Sequence, residues 1–183
     1  METFLKIFKS TWELDVKHRF EKGFLTYERQ LQAFLYKNLK TRLSCDYEMW
    51  IEPVIYLKDY MLDKVKPDII VTKNANIIAI IELKLGTWSY PSFKDDLDKL
   101  FRFKNAAEKT ETIILGWIPK SEIWQKQQEI KGCELKYSLD KNVLLILAVI
   151  ARPDSEAITK EYENITRFVG YLKPNEESEF KMK

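Results

Sequence analysis

The sequence predicts an α/β domain in which a mixed β-sheet carries helices on both faces. The chain has 183 residues, of which 45% are hydrophobic, enough to bury one sizeable core without a disulfide or metal to stabilise it. Apolar runs typical of strands alternate along the chain with amphipathic segments typical of helices. Two strand-like runs are joined by a short turn, while others are separated by helical segments, a pattern that favours a mixed sheet.

The spacing of the apolar residues predicts where the helices and strands lie along the chain. Leu31, Leu35 and Leu39 repeat at four-residue spacing after the candidate cap Thr26, which predicts the first helix. The predicted elements are, in order, a helix over residues 24–40, strands over 48–57, 67–72 and 77–84, a helix over 93–107, a strand over 112–117, a helix over 121–130, a strand over 143–151 and a helix over 157–172. We expect one domain over residues 1–183, comprising a core at about 24–118, a further strand and helices within 119–172, and a frayed tail at 173–183.

The segment from Lys66 to Gly86 contains the residues with candidate chemistry. Its two strands are joined by Lys73-Asn74-Ala75-Asn76, a composition typical of a tight turn, so they should pair as an antiparallel hairpin. A turn at residues 74–76 would place Asp68 opposite Glu82. The hairpin is therefore expected to bring these two carboxylates together.

A third charged group should share the surface that the two carboxylates occupy. Alternate side chains of a strand point to one face, so Lys84 is expected beside Glu82, together with Ile78 and Ile80. Neighbouring carboxylates repel each other, and a divalent cation removes that repulsion. Magnesium prefers oxygen ligands and leaves positions for water and phosphate, while a lysine can stabilise negative charge or help to deprotonate water. Asp68, Glu82 and Lys84 are thus the groups that phosphodiester hydrolysis requires.

Pro67-Asp68, followed fourteen residues later by Glu82-Leu83-Lys84, resembles the PD-(D/E)XK signature of the restriction-endonuclease-like superfamily. The likeness covers roughly residues 24–118, where a helix with a glutamate precedes the hairpin and a helix and a strand follow it. The resemblance implies a restriction-endonuclease-like core. It also implies that Asp68, Glu82 and the backbone carbonyl of Leu83 bind Mg²⁺ or Mn²⁺, and that Lys84 attends the attacking water.

Glu28 matches the helix glutamate that often completes the sites of this superfamily. It precedes Leu31 by three residues and Leu35 by seven, which places it on the inward stripe of the first helix. An unpaired carboxylate there would be costly, which favours a metal-binding role. The alternative is that Glu28 is an acid in the first helical turn, where the helix dipole stabilises negative charge.

The expected function is metal-dependent endonuclease activity on the phosphodiester bonds of DNA. The compact chain leaves little room for a target-recognition domain, so a homodimer or a recruiting protein partner would fit. The alternative is a catalytically inactive module of the same fold that binds nucleic acid or assembles with protein.

Other function classes are disfavoured by composition. His18 is the one histidine, which excludes sites built on several histidines. Cys45 and Cys133 match no metal-ligand spacing and suggest no disulfide framework, so a reducing cytoplasm is expected. No apolar run approaches the roughly 20 residues that span a bilayer, and early charges argue against a signal peptide, so no membrane association is expected.

Two further groups of residues have a structural and a functional interpretation. Trp88 and Tyr90 could stack on bases or pack beneath their loop. The basic residues of the helix after the hairpin could contact phosphates, or could pair with interleaved acids along the same helix. The basic residues are Lys94, Lys99, Arg102 and Lys104, and the acids are Asp95, Asp96 and Asp98.

Overall fold

The computed structural model describes residues 1–56, 64–86, 93–108, 112–116, 135–151, 153–154, 161–171 and 178–183. The described helices are α1 (Glu2–Ser10), α2 (Lys17–Glu21), α3 (Glu28–Arg42) and α4 (Lys94–Glu108), and a π-helical segment (Thr11–Val16) joins α1 to α2. The described strands are β1 (Tyr47–Ile51), β2 (Val54–Tyr56), β3 (Lys64–Val65), β4 (Ile69–Lys73), β5 (Asn76–Gly86), β6 (Thr112–Gly116), β7 (Leu135–Ala151), β8 (Thr166–Tyr171) and β9 (Glu179–Met182).

The described strands form one mixed sheet, as the sequence predicts. Its main path runs β1-β4-β5-β7-β6-β2-β3. β7 is long enough to carry two neighbours along one edge: its first residues pair with β6 antiparallel, and Ile146–Ile150 pair with β8 in parallel. β5 runs parallel to β7 on the other edge, and β9 closes the sheet against β8. The long β7 therefore holds the sheet together.

Helices cover both faces of this sheet, which confirms the predicted layering. α4 packs on one face through residues such as Leu100 and Phe103, against Ile80 of β5 and Leu147 of β7. α1, the π-helical segment, α2 and α3 pack on the other. We call these the α4 face and the α3 face. Each covers a separate hydrophobic cluster, so the sheet is buried on both sides.

Residues 2–21, for which no element was predicted, form α1, the π-helical segment and α2. Phe4, Phe8, Trp12 and Val16 repeat at four-residue spacing, and each is fully buried on the α3 face. An α-helix has 3.6 residues per turn, so this spacing drifts around its surface. The wider π-helical turns offset that drift and keep the stripe against the sheet. The indole N–H of Trp12 donates to the backbone oxygen of Val169 at 3.2 Å.

The carboxy-terminal predictions need correction. Residues 166–171 of the predicted last helix form β8, and residues 179–182 of the predicted frayed tail form β9. Four consecutive residues of β8 are buried, and one of them is Arg167, so the strand shows neither an alternating nor a continuous apolar pattern. The predicted helix over 121–130 lies outside the described residues. The predicted strand over 143–151 is confirmed as the second part of β7.

The predicted strand over residues 48–57 is divided into β1 and β2. Glu52 adopts a φ of 47°, and Pro53 has no N–H with which to continue a ladder. β1 pairs with β4, whereas β2 pairs with β6 on the far side of β7. The two parts of the predicted strand therefore lie at separate positions in the sheet.

The hairpin of β4 and β5 has the predicted register, which it reaches through a bulge. Asn74 and Ala75 form a two-residue turn with φ values of 51° and 60°, a conformation that matches the twist of paired strands. The pairing shifts by one residue at Ile78, after which Ile69 pairs with Ile81 and the next positions are Asp68 and Glu82. The bulge also moves Ile78 to the α3 face, away from Ile80, which corrects the predicted grouping of those two side chains.

We predict that Gly170→Ala destabilises the fold. A Cβ at Gly170 would lie 2.5–2.8 Å from three ring atoms of Phe180, which pairs with Gly170 across β8 and β9. The Phe180 ring is packed between Trp12 and Phe20, with centroid distances of 5.6 and 5.7 Å, so it has little room to move. Overpacking of this kind costs about 1–3 kcal/mol, measurable by urea unfolding.

The matched control is the same change made in a Phe180→Ala background. Removing the ring should remove most of the cost of Gly170→Ala, giving clear non-additivity in the double-mutant cycle. Additive effects would show that the glycine is required for another reason.

Candidate active site

Asp68 forms hydrogen bonds with the end of β5 and with α3. Its carboxylate oxygen Oδ2 accepts a hydrogen bond from the backbone N–H of Leu83 at 2.6 Å. Its backbone oxygen accepts from the Gln32 side chain at 3.0 Å and from the Glu52 backbone N–H at 2.9 Å. Burial raises the pKa of Asp68, while the Leu83 hydrogen bond and the charge of Lys99 oppose that rise. Asp68 thus lies beside the predicted Glu82-Leu83-Lys84 segment.

Glu82 is the most deeply buried carboxylate of this group, with 0% exposure. Its Oε2 accepts a hydrogen bond from the Lys99 ammonium at 2.6 Å, but its Oε1 is buried without a hydrogen-bond partner among the described residues. Burial, followed by the nearby charge of Asp68, raises the pKa of Glu82 to about 9. A buried carboxylate oxygen without a partner is costly, and a bound cation would relieve that cost.

Lys84 projects from β5 on the same face as Glu82. Its ammonium lies 3.0 Å from an oxygen of Asp96 on α4 and 3.6 Å from Glu28 at the start of α3. The other oxygen of Asp96 lies 3.1 Å from Lys99, whose ammonium also holds Glu82. Burial lowers the pKa of both lysines, but the carboxylates outweigh that effect and the net shift is upward. Both lysines therefore carry a firmly held positive charge.

Glu28 reaches the cluster from the opposite layer. It is the first residue of α3, and its carboxylate contacts Lys84 and accepts a hydrogen bond from the Leu85 backbone. Burial raises the pKa of Glu28, and the charge of Lys84 opposes this. The helix begins four residues later than predicted, at an N-cap formed by Tyr27. The predicted cap Thr26 lies outside the helix, where its hydroxyl donates to the Gln30 side chain at 2.9 Å.

Leu83 contributes to the cluster through its backbone N–H, a contact that was not predicted from the sequence. Its side chain is buried on the α3 face, and its N–H is bound by Asp68. The role of its carbonyl as a metal ligand stays a prediction.

Asp96 and Lys99 are site residues that were not predicted from the sequence. The charged residues of α4 were expected either to contact phosphates or to pair with one another along the helix surface. Asp96 is buried and Lys99 half-buried against the sheet, while Asp95 and Asp98 are exposed. The signal was present in the sequence, because Asp96 and Lys99 share the helical stripe of Leu100. Trp88 and Tyr90 lie outside the described residues.

The donor set of the cluster fits a hard divalent cation. When all groups are ionised, four carboxylates (Glu28, Asp68, Glu82 and Asp96) face two ammonium groups (Lys84 and Lys99), which leaves a net charge of −2. Within the described parts of the chain, no three acidic, histidine or cysteine side chains are grouped closely enough to hold a metal ion. Two carboxylates are nevertheless sufficient for magnesium, which keeps several waters. Asp68 and Glu82, with its unpartnered oxygen, would be that pair.

Comparisons with known proteins add no family to this description. The chain matches no family model, no curated protein and no solved structure. The fold and the site therefore define only a broad structural class, a mixed α/β protein with a cluster of carboxylates and lysines at the end of a β-hairpin. Among the helices described, none is both long and apolar enough to cross a bilayer.

We predict that Glu82→Gln gains stability relative to the wild type as pH rises. The folded-state pKa of about 9 lies above the ordinary value of 4.5, so the folded protein favours protonated Glu82. Between these two values, each rise in pH costs the wild type stability, by at most about 1.4 kcal/mol per pH unit. Urea unfolding in EDTA between about pH 5.5 and 8.5 measures the difference.

Glu108→Gln, which changes an exposed carboxylate on α4, controls for the loss of one negative charge. A stability difference between Glu82→Gln and the wild type that stays flat, or that falls as pH rises, would contradict the assigned burial of Glu82.

Proposed function

We propose that the chain is a metal-dependent endonuclease that hydrolyses phosphodiester bonds in DNA by means of a metal-activated water. The observation that supports this proposal is the meeting of Asp68, Glu82 and Lys84 at one end of the hairpin, where Glu82 retains a buried oxygen without a partner. Paired carboxylates beside a lysine supply metal ligands and a cation for phosphate in one place.

Asp68, Glu82 and the carbonyl of Leu83 would hold Mg²⁺ or Mn²⁺. The ion, when bound, supplies Lewis acidity and lowers the pKa of water. The hydrogen bond from the Leu83 N–H fixes one carboxylate oxygen of Asp68. The orientation of the other oxygen therefore depends on the backbone of β5. This contact with the main chain of a strand fixes the position of Asp68.

Lys84 would orient the attacking water and stabilise negative charge on the phosphate. Its side chain is 21% exposed, and Asp96 and Glu28 hold its ammonium from two sides. Glu28 contacts Lys84 and would position that lysine, and its role as a metal ligand stays a prediction. Because the two acids come from α3 and α4, both helical layers contribute to the placement of one amine.

Lys99 would act as a counter-charge that a metal ion partly replaces. Its ammonium donates a hydrogen bond to Glu82 at 2.6 Å, on the carboxylate that would bind the metal. With Glu82 engaged by a metal, the Lys99 ammonium would remain on Asp96 and would face phosphate.

A second candidate function is a catalytically inactive module that binds nucleic acid or protein. The closed series of contacts from Glu28 through Lys84, Asp96 and Lys99 to Glu82 supports it, because these contacts neutralise most of the charge without a metal. Metal dependence separates the two functions. Under either function, a homodimer or a recruiting partner fits the small size of the chain.

We predict that the protein nicks or linearises supercoiled plasmid in Mg²⁺ or Mn²⁺ and that EDTA abolishes the reaction. Lys84→Ala should lower the cleavage rate by roughly 10²–10³-fold, because it removes the cation that attends the water and the phosphate. Gel analysis of cleavage over time measures both rates.

Lys94→Ala is the matched control, since it removes an exposed lysine at the start of α4 and should cleave as the wild type does. Equal losses in the two variants would indicate a general effect of charge. Absence of metal-dependent cleavage by the wild type would favour the inactive module.

We predict that Mg²⁺ or Mn²⁺ raises the melting temperature of the wild type and not that of Asp68→Asn. A saturating ion stabilises the state it binds, by about 2.7 kcal/mol at a hundredfold excess over its Kd.

Lys99→Gln should be less stable than the wild type without metal. Its melting temperature should rise more than that of the wild type when metal is added, because the ion then supplies the missing counter-charge. Thermal unfolding with and without EDTA measures these shifts, with Lys94→Gln as the control.

A smaller metal-induced gain in Lys99→Gln than in the wild type would contradict the counter-charge role of Lys99. It would show instead that this lysine helps to build the metal site.

A further inference from the structure

Two large aromatic side chains are exposed in the segment that joins α2 to α3. Phe24 is 55% exposed and Tyr27 is 71% exposed. Most phenylalanines of this chain that the structure describes are buried, including Phe4, Phe8 and Phe20 nearby. Two exposed aromatic rings within four residues of the chain form a candidate interaction surface, whereas a single exposed apolar side chain is ordinary.

The backbone presents Phe24 rigidly. Gly23 has a φ of 75°, its N–H donates to the Phe20 oxygen at 2.9 Å, and the Phe24 N–H donates to the Arg19 oxygen at 3.2 Å. These two bonds form a Schellman motif, which ends α2. The Arg19 guanidinium lies 4.2 Å from the centre of the Phe24 ring. This contact explains where Phe24 is held, but it does not bury the ring.

Tyr27 borders the candidate active site. It directly precedes Glu28, whose carboxylate lies 3.6 Å from Lys84. The Gln30 side chain accepts hydrogen bonds from the backbone N–H groups of Thr26 and Tyr27, at 2.8 and 3.2 Å, which fixes the local chain. We call Arg19, Phe24 and Tyr27 the aromatic platform.

The charges around the aromatic platform suit a polyanion. Lys22 and Arg29 are exposed on the same segment as Arg19. The nearby acid Glu21 is engaged by the Ser178 hydroxyl at 2.5 Å and by Lys17 at 3.8 Å. Exposed cations interleaved with exposed aromatics are the features with which proteins bind the phosphates and bases of single strands.

We propose that the aromatic platform binds unpaired nucleotides and directs a single-stranded segment toward Asp68, Glu82 and Lys84. The inference rests on the proposed function and adds its substrate class: nucleic acid with an unpaired region beside the scissile phosphate. In a duplex each base already stacks on its neighbours, so an exposed ring has a free base to stack on only where the strand is unpaired.

The test is fluorescence anisotropy in EDTA, which measures binding without metal or cleavage. The probes are a fluorescein-labelled single strand of about 20 nucleotides and the corresponding duplex. The wild type should bind the single strand more tightly. Phe24→Ala and Tyr27→Ala should each weaken single-strand binding by about tenfold and change duplex binding little. Tyr27→Trp should retain binding, and Phe101→Ala, at an exposed ring on α4, should match the wild type.

The outcomes separate this inference from the proposed function. Equal loss on both probes, or no loss on either, would overturn the platform, whether or not plasmid is cleaved. Self-association that disappears in Phe24→Ala while single-strand binding is unchanged would assign the surface to a protein contact and also overturn it. Selective single-strand binding that these variants weaken would support the platform, even if plasmid cleavage fails and the nuclease proposal falls.

Discussion

The Glu82 carboxylate is fully buried between the sheet and α4, and burying an ion is costly unless partner charges compensate. Lys99 compensates for part of that cost, although the pKa of Glu82 stays raised to about 9, and α4 can supply Lys99 only while its apolar stripe packs on the sheet. Lys99 in turn shares Asp96 with Lys84. The charge cluster and the packing of α4 therefore depend on each other. A change that loosens α4 would leave Glu82 without its counter-charge.

The sheet gives this cluster its geometry. A two-residue turn alone would set a register one residue away from the one observed, and the bulge at Ile78 corrects it, so that Asp68 reaches the Leu83 backbone. β5 pairs with β4 as far as Ile81 and with β7 as far as Gly86, so β7 holds the end of the strand that carries Glu82 and Lys84. Helices from both layers then reach the same edge, with Glu28 from α3 and Asp96 from α4.

Local periodicity made much of the fold and the central site predictable. The hairpin, α4 and the common face of Glu82 and Lys84 depend on neighbours within a few residues, and their predictions are confirmed. Asp96 and Lys99 were missed because the alternating charges of their helix did not indicate which of them faced the sheet, although both share the stripe of Leu100. β8 was predicted as a helix because a strand buried on both faces lacks polar alternation. The stripe of α1 was visible in the sequence and was overlooked.

A crystal structure with Mn²⁺ tests the proposed metal site most directly, because anomalous scattering locates the ion independently of activity. We expect one anomalous peak between Asp68 and Glu82, within coordination distance of oxygens of both carboxylates, with the Lys99 ammonium displaced from Glu82. No peak at that position at saturating Mn²⁺, with the Lys99–Glu82 contact retained, would contradict it. That result would leave a charge cluster that stabilises the fold without binding metal.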